Sequence, residues 1–175
     1  MPQDLTTSRQ PIVVHSVFSN INDATNTADF TDIIVSQGDK RLTAERASAT
    51  GVGFTDSRWT FAGRVTITLE PRGTLWADQA ILEFRGGELT QVTAIGSPAR
   101  FEQQRTDSRG VQRGQADQIT YAVQQDTVRL SGHAELSGGH GVQITAPVFV
   151  YQIRDDSLQI DSESERRLVH MTITP

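Results

Sequence analysis

The residues able to do chemistry are few and widely spread. His15, His133, His140 and His170 are the four histidines of the chain. No two of them stand at the short spacing by which a helix or turn presents a metal ion. With no cysteine in the sequence, thiolate and disulfide chemistry are both excluded. His133 and His140 lie either side of a glycine-rich stretch, a placing that suits surface polar residues. Asp78 and Asp117 share an Ala-Asp-Gln tripeptide, which suits a turn or bulge better than an acid–base carboxylate pair. Asp155-Asp156 reads as a hairpin turn, and Gly138 to Gly141 has no following helix to complete a phosphate cradle. No Gly-x-Ser-x-Gly elbow occurs. Arg105, Arg109 and Arg113 accompany the polar segment Thr106 to Gly114, read as a solvated loop, with a site for an anionic group as the sharper alternative. These residues point to no catalytic role and to no cofactor.

Composition narrows the field further. The 175 residues suffice for one domain, taken as 1–175, with a core of useful size. Sixteen basic against 21 acidic residues give a net charge of −5, which offers nucleic acid no electrostatic attraction. Hydrophobic residues make up 36% and recur all along the chain, against disorder. No stretch approaches the ~20 apolar residues of a membrane-spanning helix.

What recurs is alternation. Val65, Ile67 and Leu69 alternate with polar residues, as do Ala80, Leu82 and Phe84; Ile119, Tyr121 and Val123; and Phe149, Tyr151 and Ile153. Period-two patterning with β-branched enrichment means half-buried antiparallel strands. Turns are legible at Gln37-Gly38-Asp39, Pro71-Arg72-Gly73, Gly86-Gly87, Gly96-Ser97-Pro98 and Ser137 to Gly141. The polar segment Asn20 to Ala28 reads as a turn after a first strand from Pro11 to Phe18. The spacing predicts an all-β domain of a dozen or more strands.

The strands also repeat. Gly63-Arg-Val-Thr-Ile and Gly132-His-Ala-Glu-Leu stand 69 residues apart, and at that offset Leu75 matches Ile144, Ala77 matches Ala146 and Leu82 matches Tyr151. Ala77-Asp78-Gln79 recurs as Ala116-Asp117-Gln118, with Ala44-Glu45-Arg46 a weaker copy. Irregular repeats of this length suggest stacked hairpins, each burying its apolar face against the next.

Phe30-Thr-Asp-Ile-Ile-Val-Ser-Gln-Gly38, Leu42-Thr-Ala-Glu45, Gly96-Ser-Pro-Ala-Arg-Phe101, Gly114-Gln-Ala-Asp-Gln-Ile-Thr-Tyr121 and Val128-Arg-Leu-Ser-Gly-His-Ala-Glu-Leu136 resemble the OstA-like periplasmic lipopolysaccharide-transport proteins. The resemblance runs from about Pro11 to Ile160 and is nearest to the soluble bridge member of that family. It implies a twisted, V-shaped antiparallel β-jelly roll built from repeated hairpins and open at both ends. It further implies a non-enzymatic carrier that holds the acyl chains of lipid A between its sheets and stacks head to tail between membranes. The partners implied are lipopolysaccharide, further copies of the chain, and the OstA-like domains of inner- and outer-membrane transport proteins. Two departures stand out: Asp32 leads into Ile33 without the glycine of the other copies, and Pro147 follows Ala146 where an acid is expected. The opening residues MPQDLTTSRQ carry no apolar signal core, so a periplasmic location rests on the resemblance.

Physical reasoning supports such an interior. The inward column is expected to hold Ile12, Val14, Val65, Ile67, Leu69, Ala80, Leu82, Phe84, Ile119, Tyr121, Val123, Phe149, Tyr151 and Ile153, with Phe101 from the shared motif. Small side chains between sheets about 10 Å apart leave room for hydrocarbon. Pro11 to Phe18 and Leu168 to Thr174 would be open edges, and the latter carries no acid or lysine to discourage strand addition. Two other readings stay open: the same fold as the periplasmic domain of a membrane-anchored partner, and a β-solenoid carbohydrate-binding or structural module. The last would need exposed aromatic platforms, for which Trp59 and Trp76 are the candidates. Trp76 shares the strand parity of Ala80 and Leu82 and is expected inside.

Overall fold

The computed structural model describes residues 10–51, 56–69, 73–104, 110–138, 141–155, 157–161 and 170–173. Arg105, Arg109, His140, Asp156, Leu168, Thr174 and the Pro71-Arg72 pair lie outside the described residues. The elements are β1 (Val13–His15), β2 (Phe18–Asn22), β3 (Thr27–Gln37), β4 (Lys40–Thr50), β5 (Asp56–Leu69), β6 (Gly73–Arg85), β7 (Glu88–Gln104), β8 (Val111–Ala122), β9 (Thr127–Ser137), β10 (Val142–Gln152), β11 (Ser157–Asp161) and β12 (His170–Ile173). They form one antiparallel sheet that runs in chain order from β3 to β11. The described strands approach closely only their ladder neighbours, so the sheet does not close.

A seam of bulges crosses this sheet. The register shifts between Thr43 and Arg46, Ala62 and Val65, Trp76 and Gln79, Ile95 and Ala99, Gln115 and Gln118, and Ala146 and Val148. A bulge bends its strand and steepens the twist, so aligned bulges crease the whole sheet into two leaves. The repeats are the sequence record of this crease. Asp32, Arg64 and His133 all adopt left-handed φ near 50°, each just before an inward Ile33, Val65 or Ala134. Gly63 and Gly132, at φ 82° and 79°, precede two of them. A side chain on Gly63 would collide with Glu45, and one on Gly132 with Asp117. The acids that follow the repeated alanines therefore fill the space those glycines leave. Arg64 and His133 turn back onto the same acids, with Nε to Glu45 Oε1 at 3.4 Å and Nδ1 to Asp117 Oδ2 at 2.9 Å.

Four expectations need correction here. Gly96-Ser97-Pro98 does not end a strand; it is the bulge within the 17-residue β7, where a proline lacking its N–H is tolerated. The expected first strand shortens to β1, while β2 and the start of β3 take in residues 20–22 and 27–28 of the segment read as a turn; β1 and β2 are divided at the crease and paired with opposite halves of β3. An edge strand has one neighbour to hold a bulge in register, and here the ladder breaks instead. The third concerns Trp76: the bulge after it shifts the phase of β6, turning Leu75 and Ala77 inward and leaving Trp76 42% exposed. Arg113 and Gly114, expected in a loop, belong to β8.

Candidate functional site

The inner faces are ordered as rows that follow the ladder from edge to edge. On one leaf the row Phe30, Ala47, Phe61, Ala80, Ala94, Ile119, Leu130, Phe149 and Ile160 crosses β3 to β11 without a polar residue. Beside it runs Ala28, Ala49, Trp59, Leu82, Val92, Tyr121, Val128, Tyr151 and Leu158. On the other leaf Val14, Val35, Leu42, Ile67, Leu75, Phe101, Gly114, Leu136, Ile144 and Met171 cross from β1 to β12. Next to the crease, Ile33 faces Ala44, Val65 faces Ala77, Ala99 faces Ala116 and Ala134 faces Ala146. Most of these side chains are buried in one continuous cluster. An open sheet can bury an inner face this deeply only if the two leaves cover each other.

The sequence-predicted interior residues sort onto the inner faces of the two leaves. Leu82, Phe84, Ile119, Tyr121, Phe149 and Tyr151 lie on the first leaf, and Val14, Val65, Ile67, Leu69 and Phe101 on the second. Ile12 precedes β1 and packs against the core. Val123 and Ile153, expected to continue their strands inward, stand instead in the turns after β8 and β10. There the Val123 N–H donates to the Thr90 carbonyl and the Ile153 N–H to that of Asp126, each at 3.0 Å. Alternation alone could not show where these strands stop, because both residues are apolar and in phase.

Sequence reasoning missed the largest part of the first leaf. Trp59 is buried and stacks between Phe30 and Phe61, with ring centroids 5.3 and 6.0 Å apart. The signal was present in Ser57-Arg-Trp-Thr-Phe61, whose odd positions continue the inward phase of Val65, Ile67 and Leu69 across Gly63. Leu42, Val92, Leu130 and Leu136 are also inward and buried.

Polar groups mark the rims. Where the first leaf ends at the β8–β9 turn, the Tyr121 hydroxyl donates to Oδ1 of the buried Asp126 at 2.8 Å. Arg154 Nε approaches the other carboxylate oxygen at 4.0 Å, and Thr127 Oγ1 donates to Gln152 Oε1 at 2.8 Å. Near opposite ends of the inner face, Ser57 Oγ and Gln112 Oε1 are buried without a hydrogen-bond partner among the described residues. Such a group costs about 1–3 kcal/mol until something satisfies it. The outer boundaries of the sheet are apolar and open: Val13, Phe18 and Ile21 are exposed at β1 and β2, and Leu158, Met171 and Ile173 at β11 and β12. Of the two histidines expected at the surface, His133 lies exposed on the crease; His15 and His170 lie exposed on edge strands.

The sequence model of the family described as LptA/(LptD N-terminal domain) LPS transport protein matches residues 47–157 of this chain. No curated protein sequence matches it. Among solved structures it is similar to LptH of Pseudomonas aeruginosa, described as the LptA homologous periplasmic component of the conserved lipopolysaccharide transport device. The TM-score is 0.50 at 21% identity, over 95% of this chain and 96% of that chain. This likeness is one of fold and identifies the creased sheet as the same twisted jelly roll. The family match runs from the second half of β4 to the start of β11, taking in both leaves and the crease. By that match the chain belongs to the LptA/LptD N-terminal-domain family of lipopolysaccharide transport proteins.

Proposed function

We propose that this chain is a periplasmic carrier that shelters the acyl chains of lipid A between its two leaves and passes them along a head-to-tail bridge between the membranes. The observation that carries this reading is the set of apolar rows that cross the sheet, from Val14 on β1 to Met171 on β12 on one leaf and from β3 to β11 on the other. A hydrocarbon chain lying along such a row exchanges water for methyl and ring contacts at every strand. Burial is worth about 0.8 kcal/mol per methylene. The unpartnered Ser57 Oγ and Gln112 Oε1 give the ester, amide or hydroxyl groups of an acylated sugar something to bond.

The open edges support the relay. β1 and β2 at one end, and β11 and β12 at the other, offer an outer edge unpaired among the described residues, with exposed apolar side chains and no lysine or proline within the strands. Addition of β12 of one copy to β1 of the next is heterologous and does not close, so it extends the roll into a filament. Copies of the chain, and OstA-like domains of inner- and outer-membrane partners, are the complementary edges.

The test is a photo-crosslinking residue at Val92, in the middle of the second row of the first leaf. It is expected to capture the acyl portion of added lipopolysaccharide. Capture at an outer-face position such as Thr93, with none at Val92, would remove the interior from the mechanism. A second reading, the same roll as the periplasmic domain of a membrane-anchored or outer-membrane partner, is kept because the family joins LptA with the LptD N-terminal domain. The two differ in assembly. A bridge protein extends from both edges, so Ile21→Lys and Ile173→Lys are each expected to stop growth in light scattering; a partner domain is capped at one edge and does not grow as the wild type.

A further inference from the structure

The outer face of the second leaf carries a feature that the interior reading does not use. Register places Thr66, Trp76, Arg100, Gln115, Glu135 and Thr145 in one outward row across β5 to β10. Around its centre lies a trough of about 610 Å³, lined by Trp76, Arg100, Glu102, Arg113, Gln115 and Glu135 among others. That volume falls within the range of small-molecule sites.

The groups of the trough are already ordered. Arg113 Nε donates to Glu102 Oε2 at 3.3 Å, so those two charges hold each other. Gln115 Nε2 donates to Glu135 Oε2 at 3.3 Å, and Gln143 Nε2 donates to the other oxygen of the same carboxylate. Glu135 thus keeps a fixed position with amides, not a cation, as its partners. Two groups are left over. The indole of Trp76 is 42% exposed in the middle of a sheet, and Arg100, directly opposite it on β7, forms no ion pair among the described residues. A half-exposed indole between polar neighbours offers a flat apolar platform with a polar N–H at its rim.

We propose that this trough binds a saccharide, one pyranose ring stacked on the Trp76 indole with its substituents held by Arg100 and Glu135. The chemistry fits that class. The axial C–H face of a pyranose is apolar and flat enough to cover an indole, and its equatorial hydroxyls point outward to fixed donors and acceptors. Glu135 accepts from hydroxyls. The Arg100 fork donates to hydroxyl oxygens or to a phosphate or carboxylate on the sugar. A hydrocarbon would leave Arg100 and Glu135 unused, and a nucleic acid would meet Glu102 and Glu135. The proposal does not depend on lipid in the interior, because this face lies on the opposite side of the leaf from the apolar rows.

The experiment follows the two indole N–H resonances of the ¹⁵N-labelled protein during titration. The probes are lipid-free oligosaccharide from deacylated lipopolysaccharide and, separately, a neutral glucan oligomer. Trp76 is expected to shift and the buried Trp59 to stay. Trp76→Ala should weaken binding by about tenfold or more, Arg100→Ala by several-fold, while Trp76→Tyr retains most of it. A shift with the lipopolysaccharide sugar alone names that sugar as the ligand; a shift with the glucan as well, or alone, supports saccharide binding from another source. No shift with either probe at millimolar concentration, or undiminished binding by Trp76→Ala, overturns the proposal. Trp76→Ala should leave acyl capture at Val92 intact, which separates the failure of this site from failure of the interior.

Discussion

The two leaves share one pleat, one crease and one alternation, yet they are filled differently. The first leaf is built on rings: Phe30, Trp59, Phe61, Phe84 and Phe149 are buried there, and Tyr121 and Tyr151 close its outer row. Across the ladder these rings face alanines, with Phe30 against Ala47, Phe61 against Ala80 and Trp59 against Ala49. The second leaf is aliphatic, with Ile33, Leu42, Val65, Ile67 and Leu136 buried, and its inward ring Phe101 leaning into the space over Gly114. Stacked rings are large, stiff groups with directional contacts. Aliphatic contacts are non-directional and readily exchanged for those of another hydrocarbon. The first leaf is therefore expected to carry more of the stability, and the second to be the more adaptable of the two walls.

Truncation is the strongest way to break that comparison. Phe149→Ala removes a fully buried ring from the row that also holds Phe61 and Leu130, and is expected to cost about 3–5 kcal/mol. Leu136→Ala, on the second leaf, is expected nearer the lower end of the range for its class, about 2 kcal/mol, since its row neighbours are Gly114 and the half-buried Ile144. Urea midpoints with unchanged slopes measure both. A Leu136→Ala loss equal to that of Phe149→Ala would show that the leaves share stability evenly.

Between the leaves stands the crease, and here the test sharpens the comparison. Gly132→Ala puts a β-carbon at φ 79° and against Asp117, so about 1–3 kcal/mol of stability should be lost. Adding Asp117→Gly removes the whole side chain, including the β-carbon 2.8 Å away, and so relieves the collision but not the dihedral; partial recovery is expected in a double-mutant cycle. Gly63→Ala with Glu45→Gly should behave alike, as the repeated copy. Full recovery in both would mean that the left-handed backbone contributes nothing.

The fold was legible because alternation survives within each half-strand: Val65 to Leu69 and Ala80 to Phe84 are inward as read. It failed where phase changes. Nothing local in Trp76-Ala77-Asp78 announces that the next inward residue is Ala80, because the bulge is defined by the pairing of β6 with β7 and not by β6 alone. Gly96-Ser97-Pro98 carries turn chemistry that serves equally well for a bulge. The repeated Ala-Asp and Gly-x pairs were visible as motifs, but their meaning was their alignment across strands, which register supplies. For the candidate interior, the chosen members lie on the inner faces of the two leaves except Val123 and Ile153 in turns and Ile12 ahead of β1, while the stacked trio of Phe30, Trp59 and Phe61 was missed.

The rim of the first leaf gives a smaller test. Tyr121→Phe keeps the ring in its row but removes the hydroxyl that donates to Asp126. A hydrogen bond to a charged acceptor is worth about 1.5–3 kcal/mol, and at this rim the lower end, about 1.5 kcal/mol, is expected. The loss should be accompanied by faster amide exchange at Ile153, whose N–H donates to the Asp126 carbonyl. Unchanged exchange would place the stability of this rim in ring packing alone, making it the same in kind as the row behind it.

The smallest effect expected is also the one that decides what holds the crease. Asp117→Asn keeps the volume that sits beside Gly132 and keeps an oxygen to accept from His133, while removing the charge. His133 and Asp117 are both well exposed, and exposed pairs contribute about 0–1 kcal/mol. The same holds for Glu45→Gln opposite Arg64. If the acids of the repeat are there for shape, each variant stays within about 0.5 kcal/mol of the parent, and added salt changes neither. If Asp117→Asn instead costs as much as Gly132→Ala, the leaves are joined by charge. The repeated acid would then be a tether between neighbouring strands, and salt would loosen the crease before either leaf unfolds.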